Sequence, residues 1–338
     1  MNKVLVTGGA GFIGSNFIHH ILQENDQCSV VNLDLLTYAG NPENLATVAG
    51  NPRYTFCKGN ITDRTLIQQL FDEHDFDAVV HFAAESHVDR SITGPETFVL
   101  TNILGTQTLL DIARTAWEGS ADHRRFIHVS TDEVYGSLGK EGLFSETTPL
   151  SPNSPYSASK AGSDLMARAY FETYRLPVII TRCSNNYGPY QYPEKLIPVM
   201  VINALNNRPL PVYGDGLYVR DWLYVIDHCS AIHAVLTRGA PGEVYNIGGN
   251  NEMKNIDIVK LILKQMDKPE SLITHVTDRL GHDRRYAIDA SKIRDHIGWT
   301  PSVTFDQGIA RTIQWYLANK KWWQDLLEKD TVLKRWHG

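Results

Sequence analysis

Two short stretches hold the side chains best suited to acid–base chemistry. Ser130-Thr131-Asp132-Glu133 follows an apolar run at 126–129, and Tyr156-Ser157-Ala158-Ser159-Lys160 opens a helical pattern beyond a proline-rich loop at 149–155. Adjacent carboxyl groups in one site can hold different protonation states, so Asp132 and Glu133 could divide acid and base work. Tyr156 and Lys160 are four residues apart and share one helix face. A phenol of ordinary acidity is a poor base at neutral pH, and a neighbouring ammonium, together with a positively polarised nicotinamide, is expected to favour the phenolate. Each pattern alone also suits a solvated turn or a decorated helix surface. Their setting gives them meaning.

That setting begins at Thr7-Gly8-Gly9-Ala10-Gly11-Phe12-Ile13-Gly14, which follows the apolar run 4–6 and opens an amphipathic segment. A strand that breaks into glycines and restarts as a helix presents bare N–H groups and a positive helix end to a pyrophosphate. The spacing of Gly8, Gly11 and Gly14 implies a turn one residue longer than the Gly-x-Gly-x-x-Gly form. Asp34 ends a second apolar run, twenty residues after Gly14. A carboxylate there accepts ribose hydroxyls and repels a 2′-phosphate, which favours NAD over NADP. After a fourth run comes Phe82-Ala83-Ala84-Glu85-Ser86-His87, whose small alanines would let a flat cofactor lie against the backbone.

β-rich runs at 4–6, 29–33, 54–57, 78–82, 126–129 and 178–181 alternate with helical patterns at 12–22, 65–71, 98–116 and 158–174. Repeated β-α units with nearly all-apolar strands predict a Rossmann-type, doubly wound parallel sheet covered on both faces, with ligands beyond the strands' carboxyl ends. From about 185 the rhythm loosens around Pro189, Pro193, Pro198, Pro209 and Pro211, with strands expected at 222–225 and 244–247 and helices at 227–236, 256–266 and 305–317. The expected division is a dinucleotide domain at 1–184 and a smaller mixed α/β substrate lobe at 185–338, with a late strand free to return to the main sheet. The tail, with Trp322, Trp323 and Trp336, reads as a terminal helix packed on the surface.

At 338 residues, 42% hydrophobic and 21% charged, the chain has the composition of a globular enzyme. A net charge of −6 gives no footprint for nucleic acid, and no apolar stretch reaches membrane-spanning length. The first run starts too near Met1 to leave room for a signal peptide. Cys28, Cys57, Cys183 and Cys229 are scattered without metal-ligand spacing, so thiols in a reducing cytoplasm and no metal site are expected.

With these motifs in view, the chain resembles the extended short-chain dehydrogenase/reductases that act on nucleotide sugars, and within them the branch that oxidises a hexose at C4 and removes water across C5–C6. The stretches that carry the resemblance are Thr7–Gly14, Asp34–Asn41, Ala83–Ser91, Ser130–Glu133, Tyr156–Lys160, Arg182–Pro189 and Arg279–Tyr286. Epimerases and decarboxylases of the family generally lack the Asp-Glu pair. The resemblance implies NAD as cofactor and dTDP-glucose as substrate, with Tyr156 taking the 4-hydroxyl proton, Lys160 and Thr131 assisting, Glu133 taking the C5 proton and Asp132 protonating the departing C6 hydroxyl. It implies a cofactor shell of Gly8, Gly11, Phe12, Ile13, Gly14, Asp34, Leu35, Leu36, Thr37, Asn60, Ile61, Phe82, Ala83, Ala84, Ser86, Thr101, Tyr156, Lys160 and Asn186. The nucleotide sugar would meet Ser86, Thr131, Asn185, Lys195, Leu196, Pro211, Tyr213, Arg220, Asn255, Arg279 and His282, where guanidinium groups suit a diphosphate. Relatives commonly dimerise through two long helices, which implies a homodimer with a four-helix bundle built from 98–116 and 158–174. Two positions depart from the family pattern: Asn60 stands for an aspartate and Leu280 for a proline.

Overall fold

The computed structural model describes residues 1–278, 281–330, 333 and 337. The alternating pattern of the first half folds as β1 (Lys3–Thr7), α1 (Phe12–Glu24), β2 (Ser29–Asp34), β3 (Tyr54–Lys58), α2 (Arg64–Glu73), β4 (Ala78–His81), α3 (Val88–Thr93), α4 (Pro95–Phe98), α5 (Thr106–Ala116), β5 (Arg125–Thr131), α6 (Pro155–Tyr174) and β6 (Val178–Cys183). The second half adds β7 (Asn185–Tyr187), α7 (Leu196–Leu205), β8 (Leu210–Tyr213), β9 (Val219–Tyr224), α8 (Val225–Arg238), β10 (Val244–Ile247), β11 (Glu252–Lys254), α9 (Asn255–Gln265), β12 (Ile273–Val276), α10 (Ser291–Ile297), α11 (Phe305–Ala318) and α12 (Lys320–Lys329).

Seven strands form one sheet in the order β10-β6-β5-β4-β1-β2-β3, and every pairing in it is parallel. The strand order reverses between β1 and β4, so the loops after these two strands part and leave a crevice. Alternation along each strand sends Val4, Val6, Ala78, Val80, Ile127 and Val129 to a core shared with α1, α8 and α10. Leu5, Val31, Leu33, Val79 and Phe126 face the opposite core, under α2, α5 and α6. β10 comes from the second half yet pairs with β6.

A third core gathers α7, α9 and α11 over β8 and β9, beside sheets of three strands (β11-β9-β7) and two (β12-β8). Sequence reading overlooked α7 because its segment is apolar on every side and has no 3.6-residue period. Pro198 sits in its first turn, where its missing N–H would have had no helical partner. The helix predicted over 98–116 is interrupted by a π-helical stretch, Val99–Gly105. A Cβ on Gly105 would lie 2.4 Å from Ile61 Cδ1, so this wider turn runs hard against the loop after β3.

The tail helix α12 buries Trp323, and Trp322 Nε1 donates to Asn44 Oδ1 at 2.8 Å. Just beyond it, Asp330 accepts from Tyr192 and from Arg90, tying the last described helix to the rim of the first half. Trp336 lies outside the described residues. No helix among the described residues is long and apolar enough to cross a membrane.

Gly8 packs against the neighbouring backbone at the mouth of the sheet. Its φ is +72°, and a Cβ there would sit 2.6 Å from the Ala83 backbone nitrogen. Gly8→Ala should therefore lower unfolding stability by about 3 kcal/mol, from left-handed strain and backbone overpacking together. Denaturant titration measures the loss, and dinucleotide retention on gel filtration should fall with it.

Candidate active site

The crevice between the ends of β1 and β4 holds the glycine turn. A Cβ on Gly14 would meet the Gly8 carbonyl oxygen at 2.4 Å, so α1 starts directly against the turn. Asp34, at the end of β2, is buried, and its carboxylate accepts from the Ala10 N–H at 2.9 Å and the Leu36 N–H at 2.8 Å. Burial nevertheless raises its pKa above the ordinary value. Every residue expected in the cofactor shell lines this cleft except Leu36. Leu36 adopts a left-handed φ of +58° and serves through its backbone, as a donor to Asp34. Asn60 lines the cleft, with its side-chain oxygen accepting from the Thr62 N–H. The π-helical stretch explains how Thr101 reaches the cleft.

These observations answer whether a dinucleotide fits. The floor is a turn on which a side chain would collide, the wall carries a ribose-competent carboxylate, and the far end is formed by Ala83, Ala84, Tyr156 and Lys160. The residues present suit NAD.

A second cavity opens beside the first. Ser86, Glu133, Asn185, Asn186, Gln191, Glu194 and Lys195 line both. Leu196, Pro211, Tyr213, Arg220, Asn255 and His282 line the second, as the sequence reading grouped them. Thr131 lines only the first. Arg279 and Leu280 lie outside the described residues. Arg220 is no surface arginine. It is buried, its guanidinium donates to the carbonyls of Val219 and Asp283, and it lies 4.3 Å over the Tyr286 ring. His282 stacks on Tyr218 at 3.7 Å, with its Nδ1 2.7 Å from Asp278 Oδ1.

The catalytic candidates meet where β5 ends. Thr131 Oγ1 lies 3.3 Å from Asp132 Oδ1, accepts from the Glu133 N–H at 3.2 Å and hydrogen-bonds the Tyr156 phenol. One hydroxyl therefore touches three of the other groups. Glu133 faces both cavities, whereas Asp132 is 2% exposed and lines neither. Burial, then the charges of Glu133 and Asp221, push the Asp132 carboxyl well above the usual carboxylate range.

Tyr156 and Lys160 are both buried. Lys160 Nζ donates to the Val129 carbonyl at 2.8 Å, and full burial lowers its pKa to about 8. Burial first, and Glu133 second, raise the Tyr156 phenol well above its ordinary value. The protein's own groups keep the proton on the phenol, because desolvation of an anion outweighs a single ammonium that is itself desolvated.

Sequence reading missed Tyr38, Gln191, Tyr192 and Glu194, which all line the first cleft. Arg90 lies 3.6 Å over the Tyr38 ring and 3.6 Å from Glu194 Oε2. These residues sit on loops 35–41 and 188–195, where no period marks them. Tyr286, in the second cavity, was missed for the same reason, whereas Trp222 lies on β9, where an aromatic reads as core. Among the described residues, no group of three or more His, Cys, Asp or Glu side chains is placed to hold a metal ion.

A family profile described as GDP-mannose 4,6 dehydratase matches residues 5–312. A dTDP-glucose 4,6-dehydratase of Xanthomonas campestris pv. campestris is 56% identical over 98% of this chain and 97% of its own length. This chain belongs to the dTDP-glucose 4,6-dehydratase family. The crystal structure of the Bacillus anthracis member in complex with NAD superposes with a TM-score of 0.90 at 53% identity, covering 96% of this chain and all of that one. The Streptomyces venezuelae member, also solved with NAD, gives 0.91 at 51%, covering 96% and 99%. The fold is thus that of a family of NAD-dependent hydro-lyases, with the doubly wound sheet and mixed second lobe that the strand pattern implied.

Asp132 makes a pH-dependent contribution with a definite sign. In the unfolded chain it ionises near pH 4, so above that the folded state keeps a proton that the unfolded state has lost. Its contribution to stability is complete below that value and is lost as pH rises through the higher folded pKa. Asp132→Asn should therefore be more stable than the parent at pH 7, and the difference should vanish below about pH 4. Denaturant unfolding at the two pH values measures this.

Proposed function

We propose that this chain removes water from dTDP-glucose to give dTDP-4-keto-6-deoxyglucose, with NAD regenerated in each cycle. The observation that carries this reading is Glu133. It is a carboxylate just past the end of β5 that faces both the dinucleotide cleft and the adjoining cavity, with a protonated acid next to it in the chain. An oxidation at C4 alone needs neither group.

Bound NAD supplies the hydride chemistry, accepting hydride from C4 and returning it at C6. Tyr156 removes the 4-hydroxyl proton. Since the protein's own groups hold the phenol protonated, the positive nicotinamide is what brings its acidity into range. Thr131 bridges the phenol to the acids. Lys160, poised near neutral pH by burial, adds positive charge when protonated. The 4-ketone acidifies the C5 hydrogen, and Glu133 takes it. Asp132 holds the proton that leaves with the C6 hydroxyl, so water departs across C5–C6. Glu133 then returns its proton to C5, and the proton that Tyr156 took from the 4-hydroxyl makes good the one Asp132 gave to the departing water, so every group ends as it began. Retaining the cofactor through the cycle prevents the unsaturated intermediate from being stranded.

Residues 1–184 hold the dinucleotide, and 185–338 supply most of the nucleotide-sugar contacts, with β10 and α8 completing the main sheet. Buried Arg220 gives the diphosphate a preoriented fork, helped by His282 and Arg279. All four cysteines are free thiols, which suits the cytoplasm. The chain works as a homodimer. The π-helical stretch exposes Val99, Leu100 and Leu104, and the neighbouring α6 exposes Leu165, an apolar patch that a second copy would cover as a four-helix bundle.

Incubation with dTDP-glucose should release a dehydrated 4-keto product, identified by mass and NMR. A galactose epimer would defeat the reading, and faster turnover of UDP-glucose would reassign the base. Tyr156→Phe should lower turnover by at least about 10²-fold while NAD stays bound. Light scattering should give twice the chain mass, and a monomer at working concentration removes the bundle.

A further inference from the structure

Beneath the site lies a buried ionic cluster that touches neither cavity. Arg182 on β6 donates from Nε to Asp164 Oδ2 at 2.8 Å and from Nη1 to the Tyr135 phenol oxygen at 2.9 Å. The Tyr135 hydroxyl in turn donates to Asn246 Oδ1 on β10 at 2.8 Å. Asp164 lies on α6, one turn beyond Lys160, and His128 Nε2 on β5 stands 3.2 Å from its other oxygen. All of these side chains are buried.

The position of Tyr135 gives the cluster its meaning. It closes the single 3₁₀ turn Asp132–Tyr135, which starts with the two acids. Asp164 belongs to the helix that starts with Tyr156 and Lys160. Arg182 joins the two. We propose that Arg182 and Asp164, acting through Tyr135, are positioning residues that fix the Asp132–Glu133 turn in register with the Tyr156–Lys160 helix. The inference rests on the reading that both pairs serve one reaction.

A buried ion pair adds little net stability compared with well-packed apolar groups, but its bonds are directional. Here they run along the line on which two sets of catalytic groups must agree. A shift of about 1 Å in such groups can cost about 10²-fold in rate. Asp164 also opposes the desolvation of Lys160 one turn away.

Tyr135→Phe is the gentle test, because the ring keeps its stack on Phe144 (5.0 Å between centroids) and only the two hydrogen bonds go. With dTDP-glucose, we expect turnover to fall at least about tenfold with KM within about twofold, as lost positioning lowers kcat alone. The steady-state fraction of reduced nicotinamide on the enzyme should rise, because elimination is slowed more than C4 oxidation. Without substrate, amides 132–136 should exchange hydrogen faster, while those at 158–170 keep the parent rate. Asp164→Asn should move the limb of the pH–rate profile governed by Lys160 to lower pH.

Turnover within twofold of the parent overturns the proposal. So does a fall in turnover with no rise in reduced cofactor and uniformly faster exchange, the mark of a generally loosened core. An unmoved pH limb in Asp164→Asn removes the coupling to Lys160. A parent enzyme that yields no dehydrated sugar counts against the proposed reaction instead, and the substrate-free exchange pattern still decides the clamp.

Discussion

The close approach of the Gly8 backbone to that of Ala83 is the constraint on which the site depends. β1 and β4 are neighbours in the sheet, and the chain leaves them in opposite directions. Only where a side chain is missing can the first loop turn tightly enough to restart as α1 directly over the cleft. The helix N-terminus, the Asp34 carboxylate and the alanine floor then fall on three sides of one crevice. The remaining catalytic groups need only be delivered to its open end, which β5 and α6 do.

Delivery comes at an electrostatic cost. Glu133 and Asp221 stand close enough to Asp132 to add to the rise that burial gives its pKa, and Arg220 is the cation that offsets them. Asp221 is buried, accepts from the N–H groups of Gly249 and Asn251, and is itself shifted upward. Full ionisation of such a cluster out of water is unfavourable, and the least costly relief is to keep a proton on Asp132. Burial, which would be a liability at a structural position, prepares an acid here.

Much of this could be read from the chain because parallel strands covered on both faces leave uninterrupted apolar runs. Six such runs located six strands of the main sheet, and residues within two positions of the ends of four of them located the chemistry: Gly8, Asp34, Ala83 and Thr131. The second half resisted the same treatment. β7, β11 and β12 are short edges held by partners far away in sequence, and α7 carries no polar face to give it a period. Loop residues such as Tyr38 and Glu194 become part of the site only through tertiary contacts with Arg90. The bias that the protein's own groups place on the Tyr156 phenol is illegible for a related reason. A spacing of four shows that an ammonium is near, but not that both groups are out of water.

The tie between the tail and the front rim bears on the order of events during synthesis. Asp330 holds Arg90 and Tyr192, and Arg90 in turn covers Tyr38 at the cleft edge. Domains generally fold from the amino terminus as they emerge from the ribosome. The first six strands of the sheet can take shape early, but the rim receives its last fastening only after residue 330 has been made. A nascent chain would thus keep the cofactor entrance ajar until residue 330 has left the ribosome.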